Sequence, residues 1–75
     1  MARERTTEIV AEMVANVMTV QVAEGETVEV GDTVVVLESM KMEIPVEAPR
    51  AGVVKEIKVA EGQTVQEGET VAILE

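Results

Sequence analysis

Residues 23–38 read AEGETVEVGDTVVVLE and residues 60–75 read AEGQTVQEGETVAILE, with ten of sixteen positions identical at an offset of 37. Followed backwards at the same offset, AEMVANV (11–17) lies against APRAGVV (48–54), and Val20 and Val22 lie against Ile57 and Val59. One half therefore runs from about Glu8 to Glu38 and the other from about Pro45 to Glu75. A unit of this size cannot bury an apolar face alone. Two similar units must cover each other. With only two copies the arrangement is a face-to-face pair about a pseudo-two-fold axis, not a solenoid.

The residues within each half say what the units are made of. There is no Phe, Tyr or Trp, so the core must be aliphatic, and valine dominates the apolar positions. β-Branched side chains suit a pleated, half-buried surface. VVVLE (34–38) and TVAILE (70–75) are short apolar runs bounded by turn residues, the pattern of buried strands. Glu24-Gly25, Gly31-Asp32, Glu61-Gly62 and Gly68-Glu69 read as turns. Val17, Val20, Val22 and their counterparts Val54, Ile57, Val59 are spaced by three and then two, which breaks strict alternation and predicts a bulge or bend early in each strand. Pro45 and Pro49 have no N–H to give a ladder and belong at edges or outside it. EIVAEMVANVM (8–18) has some helical propensity, but its counterpart carries two prolines and a glycine, so a helix is rejected. The predicted class is all-β.

Composition closes several functional classes. At 75 residues the chain is one small domain. It has no cysteine, hence no disulfide framework and no thiolate chemistry. It has no histidine, which removes the usual general base and the commonest metal ligand, and no metal site is expected. A net charge of −9 repels phosphates, and no aromatic ring can stack on bases, so nucleic-acid binding is excluded. No apolar run reaches the length of a membrane span or forms a secretory core, and a cytoplasmic location without membrane attachment is expected. Gly25, Gly31, Gly52, Gly62 and Gly68 form neither a GxGxxG pattern nor a P-loop. Residues 1–7, MARERTT, are expected to be a flexible end, leaving 8–75 as the domain.

What the repeat does not explain is the connector SMKMEI, residues 39–44, with Lys41 at its centre. A strand, a short polar and methionine-containing link, and a resumed extended segment EIPVE make a hairpin with Lys41 at its tip. On these residues alone Lys41 is a solvated turn lysine or a presented amine. Met40 and Met42 are gap-filling hydrophobes or a recognition surface. Glu38 and Glu43 are solvated charges or specificity elements. An acid/base role for the two carboxylates is poor, because no cleft or substrate group accompanies them.

Glu-Ser-Met-Lys-Met-Glu (38–43) resembles the signature of biotinyl domains, the biotin carboxyl carrier domains of biotin-dependent carboxylases. The flanking pattern is similar too: EG-x-x-V-x-x-G-D before the hairpin and APRAGVV with EGQTVQEGE after it, so that the resemblance covers residues 8–75. Within the family the chain is most similar to short, free-standing biotin-attachment proteins of actinobacteria. The resemblance implies a flattened barrel of two four-stranded antiparallel sheets with quasi-two-fold symmetry. It implies that a biotin protein ligase attaches biotin covalently to Lys41, with Met40, Met42, Glu38 and Glu43 in recognition. The biotin would then be carboxylated by a biotin carboxylase and give its carboxylate to an acceptor at a carboxyltransferase, as in acyl-CoA carboxylases. The chain itself would be a non-catalytic carrier, monomeric in isolation. Amide formation needs the neutral amine as nucleophile. Nothing near Lys41 in sequence offers a base, so activation falls to the ligase, and Lys55 and Lys58 are ignored because geometry selects the site.

The chain departs from the family where Ala-Glu-Met-Val-Ala (11–15) stands for the usual Ala-Pro-Met-Pro-Gly, and it lacks the protruding thumb loop of some carriers. Two alternatives remain. A lipoyl domain shares the fold but carries Asp-Lys-Ala at its tip, against Met-Lys-Met here. An unmodified module would use the Met-flanked tip to bind another protein.

Overall fold

The computed structural model describes residues 6–75. Eight strands follow one another: β1 Thr7–Val10, β2 Ala15–Val20, β3 Thr27–Val28, β4 Thr33–Ser39, β5 Met42–Glu47, β6 Gly52–Ile57, β7 Thr64–Val65 and β8 Thr70–Leu74. They form two four-stranded antiparallel sheets, in the orders β1-β8-β6-β3 and β5-β4-β2-β7. This is the expected all-β pair of sheets. Residues 8–18 are divided between β1 and β2, as the rejection of a helix required. The expected flexible end lies mostly outside the described residues, but Thr7 does not belong to it: it opens β1 and pairs with Leu74. A single threonine at a polar end carries no local strand signal, and the pairing comes from the partner strand.

The offset of 37 carries one sheet onto the other. Moved by that step, β2 falls on β6, β3 on β7 and β4 on β8, while β1 falls on β5. Irregularities repeat as well. The β2–β4 register shifts between Val17 and Thr19, and the β6–β8 register shifts between Val54 and Glu56, which is the predicted break in alternation. Pro45 sits in the edge strand β5, and Pro49 lies outside the strands.

The core follows from the same symmetry. Twelve of its fifteen buried residues come in offset pairs: Ala11 and Ala48, Val17 and Val54, Val28 and Val65, Val34 and Val71, Val35 and Ala72, Leu37 and Leu74. Eight of the fifteen buried hydrophobic residues are valine, so small branched side chains fill the narrow space between sheets that no aromatic occupies. Each such burial contributes about 1.5–3 kcal/mol.

Carboxylates and one amide close the corners, again in pairs. Glu26 Oε1 accepts from Ala23 N at 3.0 Å and Gln63 Oε1 from Ala60 N at 3.1 Å. Asp32 Oδ2 accepts from Glu29 N, and Glu69 Oε1 from Gln66 N, both at 2.9 Å. Glu24 Oε2 reaches Ile57 N at 3.0 Å, and Glu61 Oε2 reaches Val20 N at 3.2 Å. Gly25 and Gly62, at φ 91° and 88°, allow the tight bends that bring those two glutamates across.

Candidate functional site

β4 and β5 pair from Thr33↔Glu47 up to Ser39↔Met42, with buried Leu37 opposite Ile44 holding the upper part of the ladder. The pairing leaves a loop of two residues, Met40 and Lys41. Both have positive φ, 53° and 66°. That is the backbone signature of a type I′ turn, whose twist matches the right-handed twist of the strands it joins. Asn-Gly is the usual occupant. A non-glycine residue in the left-handed region costs about 1–2 kcal/mol, and here two in succession bear it. Strained backbone of this kind persists only where the surroundings over-determine it, and the long β4–β5 ladder does so.

The turn throws its side chains outward. Met40 is 91% exposed and Met42, the first residue of β5, is 65% exposed. Lys41 is exposed, and among the described residues it makes no hydrogen bond or ion pair. The other lysines differ in setting. Lys55 lies inside β6, where the register shifts, and Lys58 follows β6 with its Nζ 3.1 Å from Glu56 Oε2. The expected place of Lys41 at the hairpin tip is the place the structure gives it.

Glu38 and Glu43 lie directly opposite each other one step below the tip, both exposed. The row continues across the sheet to Asn16 and Thr64, because Asn16 pairs with Glu38 on one side and Thr64 on the other. The Thr64 hydroxyl donates to Asn16 Oδ1 at 2.8 Å, fixing the amide. A shallow groove beside Lys41 is lined by Val14, Asn16, Ser39 and Thr64. Asn16 and Thr64 were not legible as site residues. They are 48 positions apart, and only the β2–β7 pairing joins them. The positive φ of Met40 and Lys41 was also not legible, since neither side chain favours it.

Chemically, the arrangement is a presented primary amine. It has rigid backbone beneath it, two thioethers beside it and two carboxylates a step below. No base contacts Lys41, so the tip can offer a nucleophile but cannot activate one. Nor do Glu38 and Glu43 make an acid/base dyad, because both are exposed and only Glu38 borders the shallow groove beside Lys41.

The tip has a counterpart by symmetry. The pair Leu37↔Ile44 below the hairpin corresponds at the offset of 37 to Leu74↔Thr7. Among the described residues the framework therefore has two equivalent places, and the β4–β5 hairpin occupies one of them.

The family described as biotin-requiring enzyme matches residues 7–74 of this chain. A Mycobacterium leprae protein, the biotinylated protein TB7.3 homolog, is 56% identical over 46 residues, covering 61% of this chain and 65% of that protein. Among solved structures, the Kluyveromyces lactis urea carboxylase superposes with a TM-score of 0.91 at 29% identity, over 100% of this chain and 7% of that one. A single-chain, multi-domain long-chain acyl-CoA carboxylase superposes with a TM-score of 0.86 at 30% identity, over 97% of this chain and 8% of that one. This chain therefore spans about two thirds of the mycobacterial protein and a small part of each carboxylase. With all eight described strands inside the match, the chain belongs to the biotin-requiring enzyme family.

Proposed function

We propose that this chain is a non-catalytic biotin carrier, modified on Lys41 by a biotin protein ligase and serving a biotin-dependent carboxylase. The observation that carries the reading is the position of Lys41: the second residue of a strained two-residue turn, exposed and unpaired, at the end of the β4–β5 ladder. The lysine fits the group. An acyl chain joined to its amine would extend into open solvent and displace no packed side chain. In the ligase the neutral Nζ attacks the carbonyl of a biotinyl adenylate, the amide C–N bond forms, and AMP leaves with the bond pair.

Once bound, biotin supplies a ureido nitrogen that can carry a carboxyl group. The chain's own residues hold the attachment point still. The left-handed backbone at Met40 and Lys41 fixes the direction in which the amine leaves the sheet. Met40 and Met42 give the ligase and the carboxylase an apolar, polarisable surface on either side of it. Glu38 and Glu43 add negative charge below the tip, which aids specificity and the rate of encounter more than affinity. Tethering then raises the local concentration of the group at each partner site without tight docking.

The reading extends to an acyl-CoA carboxylase as the enzyme served, to the separate biotin carboxylase and carboxyltransferase partners, to a monomer in isolation and to the cytoplasm as the location. Family membership and the likeness to carboxylase domains support the first two. The charge of −9 supports solubility of a lone domain.

The test is intact mass and peptide mapping after incubation with a biotin protein ligase, biotin and ATP. One biotinyl group on Lys41 is expected. A folded protein that gains none, but gains a lipoyl group from a lipoate ligase, would replace this reading with a lipoyl carrier. Gain from neither would leave the interaction module.

A further inference from the structure

Two-electron oxidants find few targets on this chain. It has no cysteine, histidine, tryptophan or tyrosine, so its oxidisable side chains are its five methionines. Met1 lies outside the described residues. Of the other four, Met40 and Met42 are 91% and 65% exposed, whereas Met18 and Met13 are 42% and 39% exposed. Among the described methionines, the two most exposed are the two that flank Lys41. Among the described residues, exposure to oxidation is greatest at the tip.

The geometry points to Met40 and Met42 as modification sites for a peroxide-class oxidant, with their oxidation closing Lys41 to the ligase. This rests on the carrier reading given above. A thioether sulfur attacks one oxygen of hydrogen peroxide, the O–O bond breaks, and the sulfur leaves with that oxygen as a sulfoxide. The second peroxide oxygen departs as water. The sulfur is oxidised by two electrons and the peroxide reduced by two. A methionine sulfoxide reductase reverses the step: its thiol pair becomes a disulfide and the oxygen leaves as water.

The consequence follows from where the sulfurs stand. Neither side chain packs in the core, so oxidation removes no buried contact and the fold stays intact. What changes is the surface around the amine. Two flexible apolar groups become polar and chiral. A partner that recognises the tip through apolar contact loses that contact on both sides of Lys41, while the amine itself is untouched.

The experiment uses the unbiotinylated full chain, because biotin's own thioether takes the same oxygen. Protein treated with graded hydrogen peroxide is mapped by mass spectrometry, and labelling by biotin protein ligase is followed at each stage. Met40 and Met42 are expected to gain oxygen before Met13 and Met18, and kcat/KM for labelling to fall about ten-fold or more as they do. Treatment with the A and B forms of methionine sulfoxide reductase and dithiothreitol is expected to restore it. The double variant M13L/M18L, altered away from the tip, is expected to label normally before peroxide and to lose labelling in the same way after it. For M40L/M42L the ratio of labelling with and without peroxide is the readout, and it is expected to stay near unity. Oxygen appearing first on Met13 or Met18, or full labelling of a protein carrying sulfoxide at both 40 and 42, would overturn the proposal. Absence of labelling before any peroxide would instead overturn the carrier reading.

Discussion

Glu38 and Glu43 face each other across β4 and β5, two carboxylates on the outer surface directly below the tip. Like charges directly opposite on antiparallel strands are destabilising. Glu43→Gln is expected to raise unfolding stability by about 0.5 kcal/mol, measured by urea titration. The gain should shrink at high salt, because the repulsion is between exposed charges. An unchanged midpoint at low salt would show that the two carboxylates splay apart and do not repel.

The turn itself can be probed at Met40. Valine is poorly suited to φ near 53°, and Met40→Val is expected to cost about 1–2 kcal/mol. Met40→Gly removes the left-handed penalty but adds chain entropy to the unfolded state, so its net effect is expected within about 1 kcal/mol of zero. Equal stabilities for the valine and glycine variants would argue against a left-handed Met40.

Lys41→Arg is expected to abolish labelling by the ligase while leaving stability within about 0.5 kcal/mol of the parent. Lys55 and Lys58 should not take over, because one lies within β6 and the other is paired with Glu56. Moving the amine by one residue, with M40K and K41M together, keeps composition and charge but changes the direction of the amine, and labelling is expected to fall about ten-fold or more. Labelling by peptide map at Lys55 or Lys58 in Lys41→Arg would sink the site.

The pseudo-symmetry predicts matched energetics. Leu37 and Leu74 are both fully enclosed and occupy equivalent places. Leu37→Ala and Leu74→Ala should each cost about 3 kcal/mol, by lost transfer energy and the cavity left behind. A difference well above about 1 kcal/mol would show that the hairpin side and the chain-end side relax differently around the cavity.

Much of this was legible in the sequence because a repeat doubles every weak signal. One Val-rich segment suggests a strand; a second at a fixed offset confirms it, and the two prolines and the glycine in the counterpart of residues 8–18 exclude the helix that those residues alone would have allowed. The bulges could be read from the spacing of Val17, Val20 and Val22. Lys41 was legible by subtraction, being outside both halves. Other features were hidden because they depend on tertiary contact. The glutamates at 24 and 61 read only as turn residues, yet each accepts a backbone N–H from a residue 33 or 41 positions away in sequence. Such a bond leaves no mark on local propensity. Met40 and Lys41 adopt left-handed backbone because the β4–β5 register leaves only two residues to turn in, against the preference of both side chains. The pairing of Thr7 with Leu74 has the same character, since β1 is called into being by β8.

That last pairing has a use in construction. Leu74 and Thr7 stand where Leu37 and Ile44 stand in the other half, so a copy of the six residues 38–43 has the right length to bridge Leu74 to Thr7. A chain closed in this way would be a ring with two handles, one lysine at each pole, built on a framework that already repeats itself.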